Sequence, residues 1–144
     1  MKETGLEKIQ CPVLRFGTPN CTVLIYTNLD FLTKASFKTL ETWRWMDEYF
    51  LIDSQGKRYN LKDPEFFDPP IGLRRLVFSL SVATRPVRWK SEEVGLLSLD
   101  QIRTLILRNF DEYETVWQAY DLDELKRRLM SARSVGEVMA VFGN

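Results

Sequence analysis

Among its 144 residues the chain has no histidine, and its 20 Lys and Arg are offset by 20 Asp and Glu. The missing imidazole excludes Ser–His and Cys–His nucleophile pairs and most catalytic zinc sites, and zero formal net charge gives no overall electrostatic drive toward nucleic acid or an anionic membrane. A composition of 44% hydrophobic and 28% charged residues excludes intrinsic disorder; the length suits one domain, which buries roughly 70% of its unfolded surface without a metal or disulfide.

The chain opens with a polar segment, Met1 to Gln10, that lacks the apolar run of a signal peptide, and no stretch approaches the roughly 20 apolar residues of a membrane span. Cys11 and Cys21 flank an expected hairpin rather than face each other across it, which favours free thiols and a reducing, cytoplasmic setting. That hairpin joins Val13, Leu14, Phe16 to Val23–Leu24–Ile25–Tyr26 through Gly17, Thr18, Pro19 and Asn20. Pro12 cannot donate to a ladder, so it marks an edge or a strand start. Asn28 or Asp30 is placed to cap a helix running to about Thr42, with Leu29, Leu32, Ser36, Leu40 and Trp43 along one face; Trp43–Arg44–Trp45 fits that helix or the start of a strand.

Tyr49–Ile52 and Lys57–Leu61 flank Asp53–Ser54–Gln55–Gly56, where Gly56 can take the left-handed conformation that closes a short hairpin. Asp63 to Arg75, with Pro64, Pro69, Pro70 and Gly72, reads as a loop. The alternation of Leu76, Phe78, Leu80 and Val82 predicts a strand, which either bulges at Pro86 and continues through Val87 and Trp89 or turns over Ala83 to Pro86. Three helix starts follow: Ser98 with Gln101, Asp121 with Glu124, and Ser134 with Glu137, each a cap residue with Glu or Gln three places on. Leu99, Ile102, Ile106, Phe110, then Leu122, Leu125, Leu129, then Val135, Met139, Phe142 carry the helical period, and Gly143 offers a stop. Strands first and helices last predict an α+β fold: a mostly antiparallel sheet of about five strands, helices packed on one face, and a helical C-terminal third.

Chemistry-bearing patterns are sparse. Asp121, Glu124 and Lys126 spell the D-x-x-E-x-K string of metal-dependent nucleases, yet they fall at a helix start, where capping explains the two acids. Asp47–Glu48, Asp63, Glu65 and Asp68 offer carboxylates for acid–base work. Two thiols nine residues apart do not make a zinc site, and no Gly-rich phosphate loop occurs, so neither metal nor cofactor is expected. Basic residues gather as Arg74–Arg75, as Arg85, Arg88 and Lys90, and as Lys126–Arg127–Arg128; Glu92 and Glu93 interrupt the second group, and alternation turns Trp89 inward, against a nucleic-acid surface. Phe66–Phe67–Asp68 on a proline-stiffened loop suits protein recognition, unless the loop folds back and caps the core with its phenylalanines. Asp111, Glu112 and Glu114, interleaved with Tyr113, Trp117 and Tyr120, could complement a basic partner.

The run Pro12–Val13–Leu14–Arg15–Phe16–Gly17, the stretch Leu51–Ile52–Asp53–Ser54–Gln55–Gly56–Lys57–Arg58–Tyr59, and the later Asp123–Glu124–Leu125–Lys126 and Ala132–Arg133–Ser134–Val135 resemble small uncharacterised bacterial α+β proteins, some of which serve as immunity partners of secreted toxins. The resemblance implies a protein-binding role and transfers no catalytic residue. The expectation is a non-enzymatic cytoplasmic domain that covers a protein partner, such as a basic toxin domain, through Phe66, Phe67, Asp68, Arg74, Arg75, Asp111, Glu112 and Glu114. The alternatives are a carboxylate-dependent metal hydrolase or nuclease and a nucleic-acid-binding module.

Overall fold

The hairpin at Gly56 forms the middle of the sheet. In the computed structural model, which describes residues 3–19 and 21–143, β4 (Glu48–Ile52) and β5 (Lys57–Phe66) pair antiparallel, with Phe50 opposite Asn60 and Ile52 opposite Arg58. Gly56 takes φ +84°, the left-handed region that the turn requires. The Asp53 carboxylate fastens the turn: one oxygen accepts from the N–H groups of Gln55 (2.9 Å) and Lys57 (3.0 Å), the other from Gln10 (3.5 Å).

β1 (Val13–Thr18) lies antiparallel to β4, and β2 (Leu24–Tyr26) lies antiparallel to β1 with Val13 opposite Tyr26, as the two early apolar runs predict. Pro12 immediately precedes β1, where no ladder donor is needed; Asn20, part of the expected turn, lies outside the described residues. β6 (Arg85–Leu96) pairs along β5, and the two-residue β3 (Lys34–Ala35) pairs with its start, so among the described residues the sheet has six strands in the order β2-β1-β4-β5-β6-β3. The far edge of β6 is held by the N-terminal segment: the Trp89 N–H donates to the Thr4 carbonyl (2.8 Å), and a Cβ on Gly5 would collide with the Trp89 carbonyl oxygen.

Helices cover both faces. α4 (Leu99–Glu112), α5 (Leu122–Ser131) and α6 (Val135–Phe142) bury Ile102, Ile106, Phe110, Leu129, Val138 and Met139 against Leu14, Phe16, Phe50 and Ile52. The opposite face, with Val13, Leu51, Tyr59, Leu61, Val87 and Trp89, is closed by α1 (Asp30–Thr33), α2 (Phe37–Arg44) and α3 (Leu73–Ser79) through Leu32, Leu40 and Phe78. The α+β class, the antiparallel sheet and the helical C-terminal third are as expected. The sheet has one strand more than the five anticipated, and the one-face packing describes α4–α6 but not α1–α3.

The three predicted caps are in place. Ser98 and Gln101 cap each other reciprocally (3.1 and 2.8 Å), Asp121 accepts from the Glu124 N–H (3.1 Å), and Ser134 accepts from the Glu137 N–H (3.1 Å). Three readings need correction. The helix expected up to Thr42 breaks at Lys34–Ala35, which pair with Pro86 and Arg85, and restarts at α2 with Ser36 as its cap. The loop expected over 63–75 is shorter, because β5 runs on to Phe66 across a bulge at Asp63 and Pro64. The strand expected over 76–82 is instead the helix α3 and its exit.

Candidate functional site

α3 is amphipathic, but it is presented inside out. It begins at Gly72, whose φ of +60° turns the chain. It ends where the Ser79 and Ser81 hydroxyls donate to the carbonyls of Leu76 (2.7 Å) and Phe78 (3.0 Å). Of its seven residues, all described, only Phe78 is buried. Phe78 packs edge-on against Phe66 (5.2 Å between centroids) and Phe37 (6.3 Å), with the Arg85 guanidinium 5.2 Å above its ring. At about 100° per residue, Leu73, Leu76, Val77 and Leu80 form one stripe at i, i+3, i+4 and i+7 on the side away from Phe78. That stripe faces solvent, with Leu80 82% exposed, and Ile71 and Val82 extend it at either end. Arg74 lies between the stripe and Phe78, and Arg75 on the other side of Phe78; both are exposed, and neither side chain makes an ion pair or hydrogen bond among the described residues.

The neighbouring loop turns inward where recognition was expected. Phe66 is the last residue of β5, pairs with Val87 and is buried in the core with Phe78. Phe67 is half-buried; its N–H donates to the Pro86 carbonyl (3.2 Å) and the Arg88 guanidinium lies 5.7 Å from its ring. Asp68 is exposed, and its backbone carbonyl accepts from Arg85 (3.3 Å).

Asp111, Glu112 and Glu114 lie at the C-terminal end of α4, on the other face of the sheet. Asp111 pairs loosely with Lys126 (3.8 Å). Trp117 is not part of that surface: it is buried edge-on against Phe110 (4.7 Å), and its indole N–H donates to Asn109 (2.9 Å). The eight residues picked from the sequence therefore do not make one surface. Arg74, Arg75 and Asp68 are exposed near α3, Phe66 is core, and the three acids stand on the opposite side.

A cleft of about 700 Å³ opens between the end of α2, the start of β4 and the stretch of β5 from Arg58 to Glu65. Its floor is aromatic, with Trp89 between Trp43 (4.9 Å) and Tyr49 (5.6 Å). Burial pushes the Tyr49 phenol well above its ordinary range, although the Arg15 guanidinium beside it pulls the other way. Carboxylates on the walls face cations: Glu48 meets Arg58 (3.8 Å), Asp63 meets Lys90 (3.7 Å) and Glu65 meets Arg88 (2.5 Å). The D-x-x-E-x-K residues are likewise engaged elsewhere. Asp121 caps α5, Lys126 points to Asp111, and two hydrogen bonds from Arg127 hold the Glu124 carboxyl below its usual range. Among the described residues no three Cys, Asp or Glu side chains converge as a metal-binding group would, and no helix is long and apolar enough to cross a membrane. Cys11 and Cys21 are free thiols, and burial pushes both thiols up.

The basic groups are engaged in the same way, with one exception. Arg85 is tied to Asp68 and Phe78, Arg88 to Glu65, Lys90 to Asp63, Lys126 to Asp111, Arg127 to Glu124, and Arg128 to the Ala140 carbonyl (3.3 Å). Arg74 and Arg75 alone among those groups stay unengaged by the described residues. The α3 stripe was missed from sequence although its helical spacing is present, because Leu76, Phe78, Leu80 and Val82 also satisfy a period of two. No protein-family model, no curated protein and no solved structure matches this chain.

Proposed function

We propose that the chain is a non-enzymatic protein-binding domain, immunity-like in mode, that neutralises or regulates another protein by covering part of its surface. The observation that carries this reading is the outward apolar stripe of α3. Scattered exposed apolar side chains are ordinary, but Ile71, Leu73, Leu76, Val77, Leu80 and Val82 fall within residues 71–82 and are exposed together. Covering each Leu or Val side chain is worth about 1.5–3 kcal/mol, so a partner that seats three or four of them gains a useful share of a micromolar affinity after the losses of association. The charged wall of the aromatic cleft supports the same choice over a carboxylate-dependent hydrolase or nuclease, since three of its four acids, Glu48, Asp63 and Glu65, face neighbouring cations. The free thiols suit a reducing, cytoplasmic setting.

A pull-down from cells that make the protein, run with the native chain and with a Leu76→Asp/Leu80→Asp variant, tests the reading. One protein should be retained by the native chain and lost from the variant. Equal retention by both would remove α3 as the contact; a co-purifying metabolite with no protein would overturn the function.

A further inference from the structure

We propose that α3 docks as a ligand helix into an apolar groove with an acidic rim, on a protein other than this chain; the proposal rests on the protein-binding reading above and specifies the partner's chemistry. The stripe Leu73, Leu76, Val77 and Leu80 supplies the i, i+3, i+4, i+7 anchors by which amphipathic helices enter grooves. Arg74 lies between Val77 and the Phe78 pin, at the rim of such a groove, and Arg75 lies beyond the pin, from where its long side chain reaches toward that rim. Every other cation in the sequence's basic clusters is held by a carboxylate, a carbonyl or a ring within the chain. These two are not, among the described residues, and two planar guanidinium groups are suited to carboxylates.

The same charges argue against the other occupants. A second copy pairing through the same segment offers the arginines no counter-charge there, since residues 71–82 contain no Asp or Glu. A lipid surface draws on clusters of four to eight basic residues or a long amphipathic helix, whereas α3 has seven residues and two arginines in a chain of zero net charge.

The test uses the full-length isotopically labelled chain and a pair of synthetic amphipathic helical peptides that share one Leu/Trp face, one carrying glutamate and the other lysine on the remaining positions. Backbone amides are followed by NMR. The expected result is that the glutamate peptide shifts the amides of residues 71–82 and binds about ten-fold more tightly than the lysine peptide. Arg74→Glu/Arg75→Glu should abolish or invert that preference while leaving amides outside α3 unchanged, since neither side chain supports the fold. Equal affinity for the two peptides, or preference for lysine, overturns the acidic partner and leaves the protein-binding reading standing. Shifts that appear with neither peptide but with phosphatidylglycerol vesicles, or with protein concentration as a dimer forms, overturn the proposal in favour of a lipid or a second copy. No response at 71–82 to any probe removes the surface and the reading beneath it together.

Discussion

Asp53 is a charged side chain with no solvent exposure, a combination that at first sight suggests catalysis. Its surroundings give it a structural role. Three backbone N–H groups converge on its oxygens, from Gln55, Lys57 and Gln10, so it ties the β4–β5 turn to the segment leading into β1. Removing the acceptor leaves buried donors unpaired, each a penalty of roughly 1–3 kcal/mol. Asp53→Ala is therefore expected to lose about 2–4 kcal/mol in equilibrium urea unfolding, and Asp53→Asn, which keeps one oxygen facing Gln55 and Lys57, clearly less; an unchanged midpoint for the Ala variant would show the contacts to be incidental. The turn itself was legible in the sequence because Asp53 and Gly56 act within four residues. The bond from Gln10 was not, since it joins positions 43 apart.

At the scale of elements, α3 and the C-terminal helices make opposite cases. Ser98, Asp121 and Ser134 announce their helices through contacts three residues long, and the stripes behind them point into the core, so local pattern and tertiary packing agree. In α3 they disagree: the residue that faces inward is Phe78, alone, and the residues with helical spacing face out. Alternation won the sequence reading because a buried stripe is the usual reason for apolar spacing, and here the stripe is not buried. The break at Lys34–Ala35 escaped for a related reason, as pairing with β6 lies beyond any local window. The inside-out arrangement has a measurable signature. Leu80→Asp should change unfolding free energy by no more than about 0.5 kcal/mol, while Phe78→Ala should cost about 3 kcal/mol or more, since it vacates the contacts with Phe66 and Phe37. A large loss for Leu80→Asp in urea titration would place that side chain inside.

For the whole molecule, the central strands serve two cores at once. Leu51 belongs to the side closed by α1–α3, and Ile106 to the side closed by α4–α6. Each replaced by Ala should cost about 2–5 kcal/mol. The double variant should show additive losses within about 0.5 kcal/mol, because the two side chains lie in separate cores on opposite faces of the sheet, yet unfold in one transition because the sheet is common to both. Two separated transitions would mean that the halves fold independently. The candidate surface was half legible at this scale. The segment from Phe66 to Arg75 was singled out from composition, but its phenylalanines and its arginines part company on folding: one ring is needed to seat α3, and the two charges find no ion-pair partner among the described residues. Serving two cores has a further consequence for β4. Tyr49, Phe50, Leu51 and Ile52 are all buried, so the strand is greasy above and below. Sliding it by a single step exchanges one apolar side chain for another at its inner positions, so only its two ends, Glu48 and Asp53, carry a polarity signal against the wrong alignment. The reading frame of the hairpin has to be kept by its bend, which makes Asp53 and Gly56 guardians of strand alignment as well as of a loop.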